Sequence, residues 1–186
     1  GEFKKMEDLI ILYSGGADSR LLLQLALSMK RKPYCILIDY EQKHIKELEY
    51  ARNQLNLKHV EYQIVSLTNL NVDSGLTGNN KEMKYEGVHE MHVPARNMMF
   101  VSIAASIAEN KEIHTIWYGA NWDDYEVRFI DCIQEWIGKV NELLKVNSTI
   151  PIKLEAPLIG FTKDGILELS EYYGIKQEDV FSGYGE

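Results

Sequence analysis

The stretch Leu9-Ile10-Ile11-Leu12-Tyr13-Ser14-Gly15-Gly16-Ala17-Asp18-Ser19 decides how the rest of the chain is read. Its continuous apolar run, bounded by a polar glycine pair, predicts a strand buried on both faces, as in parallel sheets. The leucine-rich segment Ser19 to Lys30 is made of good helix formers and closes at Lys30-Arg31-Lys32 and Pro33. Between strand and helix, two glycines let the backbone turn tightly and bring its N–H groups against a ligand. The helix start adds the positive end of its dipole, and Ser14 and Ser19 add hydroxyls. The string therefore reads as an anion cradle. A bare Ser-Gly-Gly reads equally well as a capped turn; the full six residues between strand and helix favour the cradle. No lysine follows, so it is not a Gly-x-x-x-x-Gly-Lys loop, and it lacks the Gly-x-Gly-x-x-Gly dinucleotide pattern.

Working outward, Tyr34 to Asp39 is a second apolar strand, followed by a helix through Ile45, Leu48, Ala51 and Leu55. His59 to Val65 reads as a third strand. From Ser66 to about Val93 periodicity is lost among Asn, Asp and Gly, and a connection this long points to a functional loop. Ala95 to Glu109 is apolar nearly all round and predicts a deeply packed helix. Ile113 to Tyr118 is a fourth strand, Arg128 to Lys145 an amphipathic helix, and Ile150 to Leu154 a fifth strand. Thr162 caps a last helix that stops at Gly174. Alternating strands and helices without repeats predict an α/β fold, a doubly wound parallel sheet with ligands at the carboxyl ends of its strands. The polar pieces at those ends are Ser14–Ser19, Asp39–His44 and Gly119–Tyr125.

The 186 residues are about one domain's worth of chain, so a single domain over 1–186 is expected. Twenty Lys+Arg against 28 Asp+Glu leave a net charge of −8, which gives no general claim on a phosphate backbone; direct nucleic-acid binding is not expected. A hydrophobic fraction of 45% and a charged fraction of 26% are those of a globular chain. No apolar run approaches the about 18 residues of a membrane span. Gly1-Glu2-Phe3 reads as a cloning remnant with Met6 as native start, and no secretory signal follows. Cys35 and Cys132 lie far apart without a CxxC partner, the usage of a reducing, cytoplasmic compartment. His89 and His92 have helical metal-ligand spacing but no third ligand, and read as loop polarity.

The six-residue string after the first strand resembles the Ser-Gly-Gly-x-Asp-Ser signature of the PP-loop ATP pyrophosphatases. Three further strings narrow the resemblance. Val93-Pro94-Ala95-Arg96-Asn97-Met98-Met99-Phe100 is similar to the Val-Pro-Gly-Arg-Asn-x-x-Phe segment of the 7-cyano-7-deazaguanine synthases, the QueC family. Gly119-Ala120-Asn121-Trp122-Asp123-Asp124-Tyr125, with Asp131-Cys132 and Glu135-Trp136, resembles that family's Gly-x-Asn-x-x-Asp-Tyr and Asp-Cys-x-x-Glu-Phe strings, with one extra residue between the halves. Asp39-Tyr40-Glu41-Gln42-Lys43-His44 is similar to Asp-Tyr-Gly-Gln-x-His. All four occur in register between Leu9 and Tyr184.

The resemblance implies an ATP-dependent ligase that adenylates 7-carboxy-7-deazaguanine and aminates it with ammonia, first to the amide and then, with a second ATP, to the nitrile. It implies ATP and Mg²⁺ as cofactors, with Mg²⁺ met by Asp18 through the ATP phosphates. Ser14, Gly15, Gly16, Ala17, Asp18, Ser19, Asp39, Gln42, His44 and Gly119 then hold the nucleotide. Arg96, Asn97, Asn121, Asp124 and Tyr125 face the substrate, and Asp18, Arg96 and Lys163 are the catalytic set. Plainer roles stand beside these: a helix-start salt bridge for Arg96, a surface lysine for Lys163, a solvated loop acid for Asp124. A homodimer is also implied.

Departures from the family pattern are specific. Gly183 stands where the first cysteine of a C-terminal zinc knot belongs, and the other three have no counterpart, so no zinc site is expected. Glu41 and Ala95 replace glycines, and Val127-Arg128-Phe129 replaces Gly-Tyr-Pro. These changes suggest a specialised relative, either stopping at the amide or making the nitrile without zinc, and a small chain rich in Lys, Asn and Ile resembles the relatives carried by bacteriophages. A nucleotide-binding or conjugating module, and a tRNA-modifying PP-loop enzyme, are the readings from other classes.

Overall fold

β1 (Leu9–Leu12) occupies the middle of a parallel sheet because its residues can be hidden on both sides: Leu9, Ile10 and Ile11 are fully buried. The computed structural model describes residues 6–40, 45–67, 96–119 and 134–175. Within them β1 is followed by α1 (Ala17–Ser28), β2 (Pro33–Asp39), α2 (Ile45–Leu57) and β3 (Glu61–Ser66). Then come α3 (Arg96–Lys111), β4 (Thr115–Trp117), α4 (Gln134–Asn147), β5 (Lys153–Glu155) and α5 (Lys163–Tyr172). The sheet order is β3-β2-β1-β4-β5, and every pairing is parallel. The register sets Ile10 opposite both Tyr34 and Ile116.

Strand alternation divides the core into two layers. Ile10, Ile36, Ile38, Ile116 and Leu154 meet α3 and α4 on one face. Leu9, Ile11, Cys35 and Leu37 meet α1, α2 and α5 on the other. The chain thus winds one way from β1 through β3 and the other way from β4 onward, so the order reverses between β1 and β4. Ligands of doubly wound sheets sit at the carboxyl ends of such a strand pair. The predicted fold class is the observed one.

Several sequence expectations are adjusted. α1 begins at Ala17, two residues ahead of Ser19, because Gly16 is extended and serves as its N-cap; Asp18 therefore belongs to the first turn. In α2 the buried stripe is Ala51, Gln54 and Leu55, while Ile45, assigned to the apolar face, is 72% exposed. α3 is not packed all round: Val101, Ala104, Ala105 and Ala108 face the sheet, whereas Met98 and Ser102 lie on its open side, since a helix on a sheet can bury only one stripe. Ser66, taken as the start of the long connection, is the last residue of β3, and residues 68–95 lie outside the described residues. β4 is shorter than the run Ile113 to Tyr118 that contains it, and β5 starts at Lys153 rather than Ile150 and ends at Glu155, one residue past the expected Leu154. Thr162 caps α5 as expected, its Oγ1 accepting from the Gly165 N–H at 3.1 Å.

Burial pushes the Cys35 thiol well above its ordinary range, so it stays protonated and packs as a small apolar group.

Four of the five described helices end by one device. After α1, α2 and α3 the backbone reaches positive φ at Lys30, His59 and Glu112 (58°, 55° and 58°), and after α5 at Gly174. The next residue's N–H returns to a carbonyl five residues back, as from Ile113 to Ala108 at 2.9 Å. A side chain in that region is strained by about 1 kcal/mol. Glu112 is exposed. Glu112→Gly is therefore expected to raise unfolding stability by about 0.5–1 kcal/mol, read as a higher urea midpoint at unchanged slope.

Candidate active site at the carboxyl edge of β1 and β4

The residues after β1 form a small self-bonded loop. The Ser14 N–H donates to Ser19 Oγ at 2.9 Å, the two serine hydroxyls pair at 3.0 Å, and the Gly16 N–H reaches Ser14 Oγ at 3.3 Å. Ser19 is buried and its hydroxyl closes the loop from inside, whereas Ser14 is exposed. Gly15 takes φ +88°, a conformation that side chains resist. Gly16 caps α1 with no side-chain hydrogen bond, so first-turn N–H groups of α1 have no side-chain acceptor from the cap. Together with Asp18 in that turn, the loop offers N–H groups, a helix N-terminus and one carboxylate.

Two other elements close on this loop. A Cβ built on Gly15 would lie 2.8 Å from the Ala51 Cβ of α2, so loop and helix meet with no room for a side chain. A Cβ on Gly119, two residues past β4, would lie 2.8 Å from the Asp18 Cβ and 3.7 Å from its Oδ2. The structure therefore brings Asp18 and Gly119 together, across the point where strand order reverses.

Asp39 is the last residue of β2, on the same edge, and its carbonyl accepts from the Leu67 N–H at 2.6 Å. Arg96 and Asn97 open α3. The Phe100 ring lies 5.4 Å from that of Tyr40, just past β2, which puts the first turn of α3 at the carboxyl edge. Asn97 is buried and Arg96 partly so. Lys163 is the first residue of α5, and its side chain lies outside the described residues. Gln42, His44, Asn121, Asp124 and Tyr125 also fall outside them, as do His89, His92 and Gly183.

Comparisons with known proteins bear on the family of the sequence and on its fold. The family model for the queuosine biosynthesis protein QueC matches residues 8–186. The chain belongs to the QueC family. It is 33% identical over 187 residues to 7-cyano-7-deazaguanine synthase 2 of Colwellia psychrerythraea, covering 96% of this chain and 85% of that one. It is 35% identical over 189 residues to the 7-cyano-7-deazaguanine synthase of Prochlorococcus marinus (strain MIT 9515), covering 94% and 83%. In fold it is similar to the NH3-dependent NAD synthetase of Campylobacter jejuni, with a TM-score of 0.57, 16% identity, and 98% and 71% of the two chains covered. The doubly wound sheet of this QueC-family chain is thus the PP-loop architecture.

Sequence reading missed the support behind the loop. Tyr13 donates its hydroxyl to Gln54 Oε1, and Arg20 Nη1 donates to Tyr50 Oη at 3.1 Å. The signal was a glutamine between Ala51 and Leu55, on the apolar stripe of α2. Gly15→Ala should cost at least about 1 kcal/mol from its positive φ, with a steric term against Ala51 added, measured as a lower urea midpoint.

Proposed function

We propose that this chain is an ATP-dependent carboxylate–ammonia ligase acting on 7-carboxy-7-deazaguanine. The observation that carries the reading is the loop of Ser14–Ser19, braced at Gly15 and apposed to Gly119 at the strand-order reversal, in a chain whose family includes the 7-cyano-7-deazaguanine synthases. Backbone N–H groups and the α1 dipole favour the pyrophosphate end of ATP there. A carboxylate oxygen attacks the α-phosphorus, pyrophosphate leaves, and the acyl adenylate forms. Ammonia then adds to the acyl carbon, AMP leaves with the C–O electrons, and one proton is released, giving the amide. A second adenylation, on the amide oxygen, followed by loss of AMP and a proton, gives the nitrile.

Arg96 offers a planar two-donor fork to the substrate carboxylate, and Asn97 beside it orients the heterocycle. Lys163 is the cation assigned to the α-phosphate as charge builds in the transition state. Among the described residues no three His, Cys, Asp or Glu side chains gather as a metal cage. A single carboxylate, Asp18, matches magnesium carried on the nucleotide, which keeps waters and phosphate oxygens as its main ligands. When bound, that ion neutralises charge on the departing pyrophosphate. In this reading Asn121, Asp124 and Tyr125, with Asp39, Gln42 and His44, complete the substrate and nucleotide walls.

The decisive test incubates purified protein with 7-carboxy-7-deazaguanine, Mg·ATP and ammonium and follows products by mass spectrometry. Amide or nitrile appearing with AMP and pyrophosphate supports the reading, and no carboxylate-dependent pyrophosphate overturns it. The ratio of amide to nitrile in that assay separates an enzyme that stops at the amide from one that makes the nitrile without zinc. Asp18→Asn should lower turnover by about 100-fold or more while the thermal transition is retained. Arg96→Ala should raise the KM for the carboxylate about 10- to 100-fold, with a smaller change in the KM for ATP.

A further inference from the structure

One stripe of α2 supports the phosphate loop from behind. Tyr13, immediately before the loop, donates to Gln54 Oε1; Gly15, inside it, abuts Ala51; and Arg20, one turn into α1, donates to Tyr50. Gln54 neighbours both Ala51 (i−3) and Tyr50 (i−4) on the helix surface, and the contacts fall before, within and after the loop. Tyr13, Gln54 and Ala51 are all more than nine-tenths buried, so this support is interior to the protein.

The Tyr13–Gln54 pair is poorly explained as packing alone. Gln54 Nε2 is buried with no hydrogen-bond partner among the described residues, a costly arrangement that an aliphatic side chain would avoid. The pair gives direction instead. A hydroxyl donor and an amide acceptor fix one orientation of Tyr13, and Tyr13 sets where the chain leaves β1 and enters Ser14. Burial keeps the Tyr13 hydroxyl protonated far above its ordinary range, so the donor persists wherever the protein is folded.

We propose that Tyr13 and Gln54 are positioning residues that, with Ala51 as a steric stop, hold the phosphate loop in the shape that receives the nucleotide. The inference rests on the nucleotide reading above and adds to it the elements that set the loop.

The test uses the full chain and the variants Tyr13→Phe, Gln54→Leu, their double and Ala51→Gly. Two quantities are read: the urea midpoint without ligand, and the Kd for Mg·ATP by calorimetry. Each single polar variant strands a buried partner and should lose stability, while the double removes both groups and should regain most of it. A merely structural pair would regain nucleotide affinity along with stability. Positioning instead leaves the double variant about tenfold weaker for Mg·ATP at a recovered midpoint. Ala51→Gly keeps the polar pair and opens the gap behind Gly15, and it should weaken Mg·ATP by about threefold or more while remaining folded. In kinetics both should raise the KM for ATP more than they lower kcat. Affinity within twofold of wild type in either the folded double variant or Ala51→Gly overturns the proposal. If wild type itself gives no heat with Mg·ATP, the nucleotide reading fails first, and that outcome is distinguishable because no variant is involved.

Discussion

The structure depends on a loop that touches its neighbours through bare backbone. At Gly15 the chain lies so close to Ala51 that a single added carbon would collide with it, and at Gly119 the same holds for Asp18. These approaches tie the exits of β1 and β4 to each other and to α2. The strand order reverses between β1 and β4, so the helices on either side run to opposite faces and leave the crevice open at the carboxyl edge. Moving Gly119 by the width of a methyl group would move the one carboxylate in the first turn of α1. Sheet topology, helix placement and the position of Asp18 are in this sense one constraint.

Two kinds of interaction maintain it. The two-sided core is held by apolar burial, with Leu9, Ile10, Ile11, Leu21 and Leu22 all removed from water, and each such side chain contributes about 1.5–3 kcal/mol. Orientation at the carboxyl edge comes from directed contacts that contribute less energy: the serine pair within the loop, the Tyr13–Gln54 bond and the Arg20–Tyr50 bond. The first kind makes the domain stable. The second selects which of many similar loop shapes the stable domain presents.

Most of the architecture was legible from local sequence. The apolar run at Leu9, the glycine pair and the leucine-rich helix are adjacent in the chain, and each carries its own conformational signal. Alternation of strand and helix then gave the fold class. The helix start was placed too late because Gly16, a residue without a side chain, acts as the cap and leaves no polar signature. Ile45 misled because periodicity records a face without saying where along the helix contact ends. The apolar circumference of α3 misled for a related reason: beside a sheet one side is left over, and there it borders a cleft of about 200 Å³ shared with α4. The support of the loop by α2 was not legible, since Tyr13 and Gln54 are 41 residues apart and their pairing exists only once the sheet has formed. Of the positions the sequence put at the strand ends, Asp18, Asp39 and Gly119 lie on that edge; Arg96 and Asn97 open α3 at the same edge, a placement the sequence reading did not make, and Gln42, His44, Asn121, Asp124 and Tyr125 lie beyond the described residues.

The glycine contacts carry a consequence for how such a scaffold diversifies. Where two hydrogens already touch, substitution can only add bulk, so this part of the crevice has no gradual route to a new shape. Novelty in what the crevice accepts has to arrive through segments that do not press on the loop. The crevice thereby has one wall whose shape the backbone itself dictates, and any change of fit falls to the walls that side chains build.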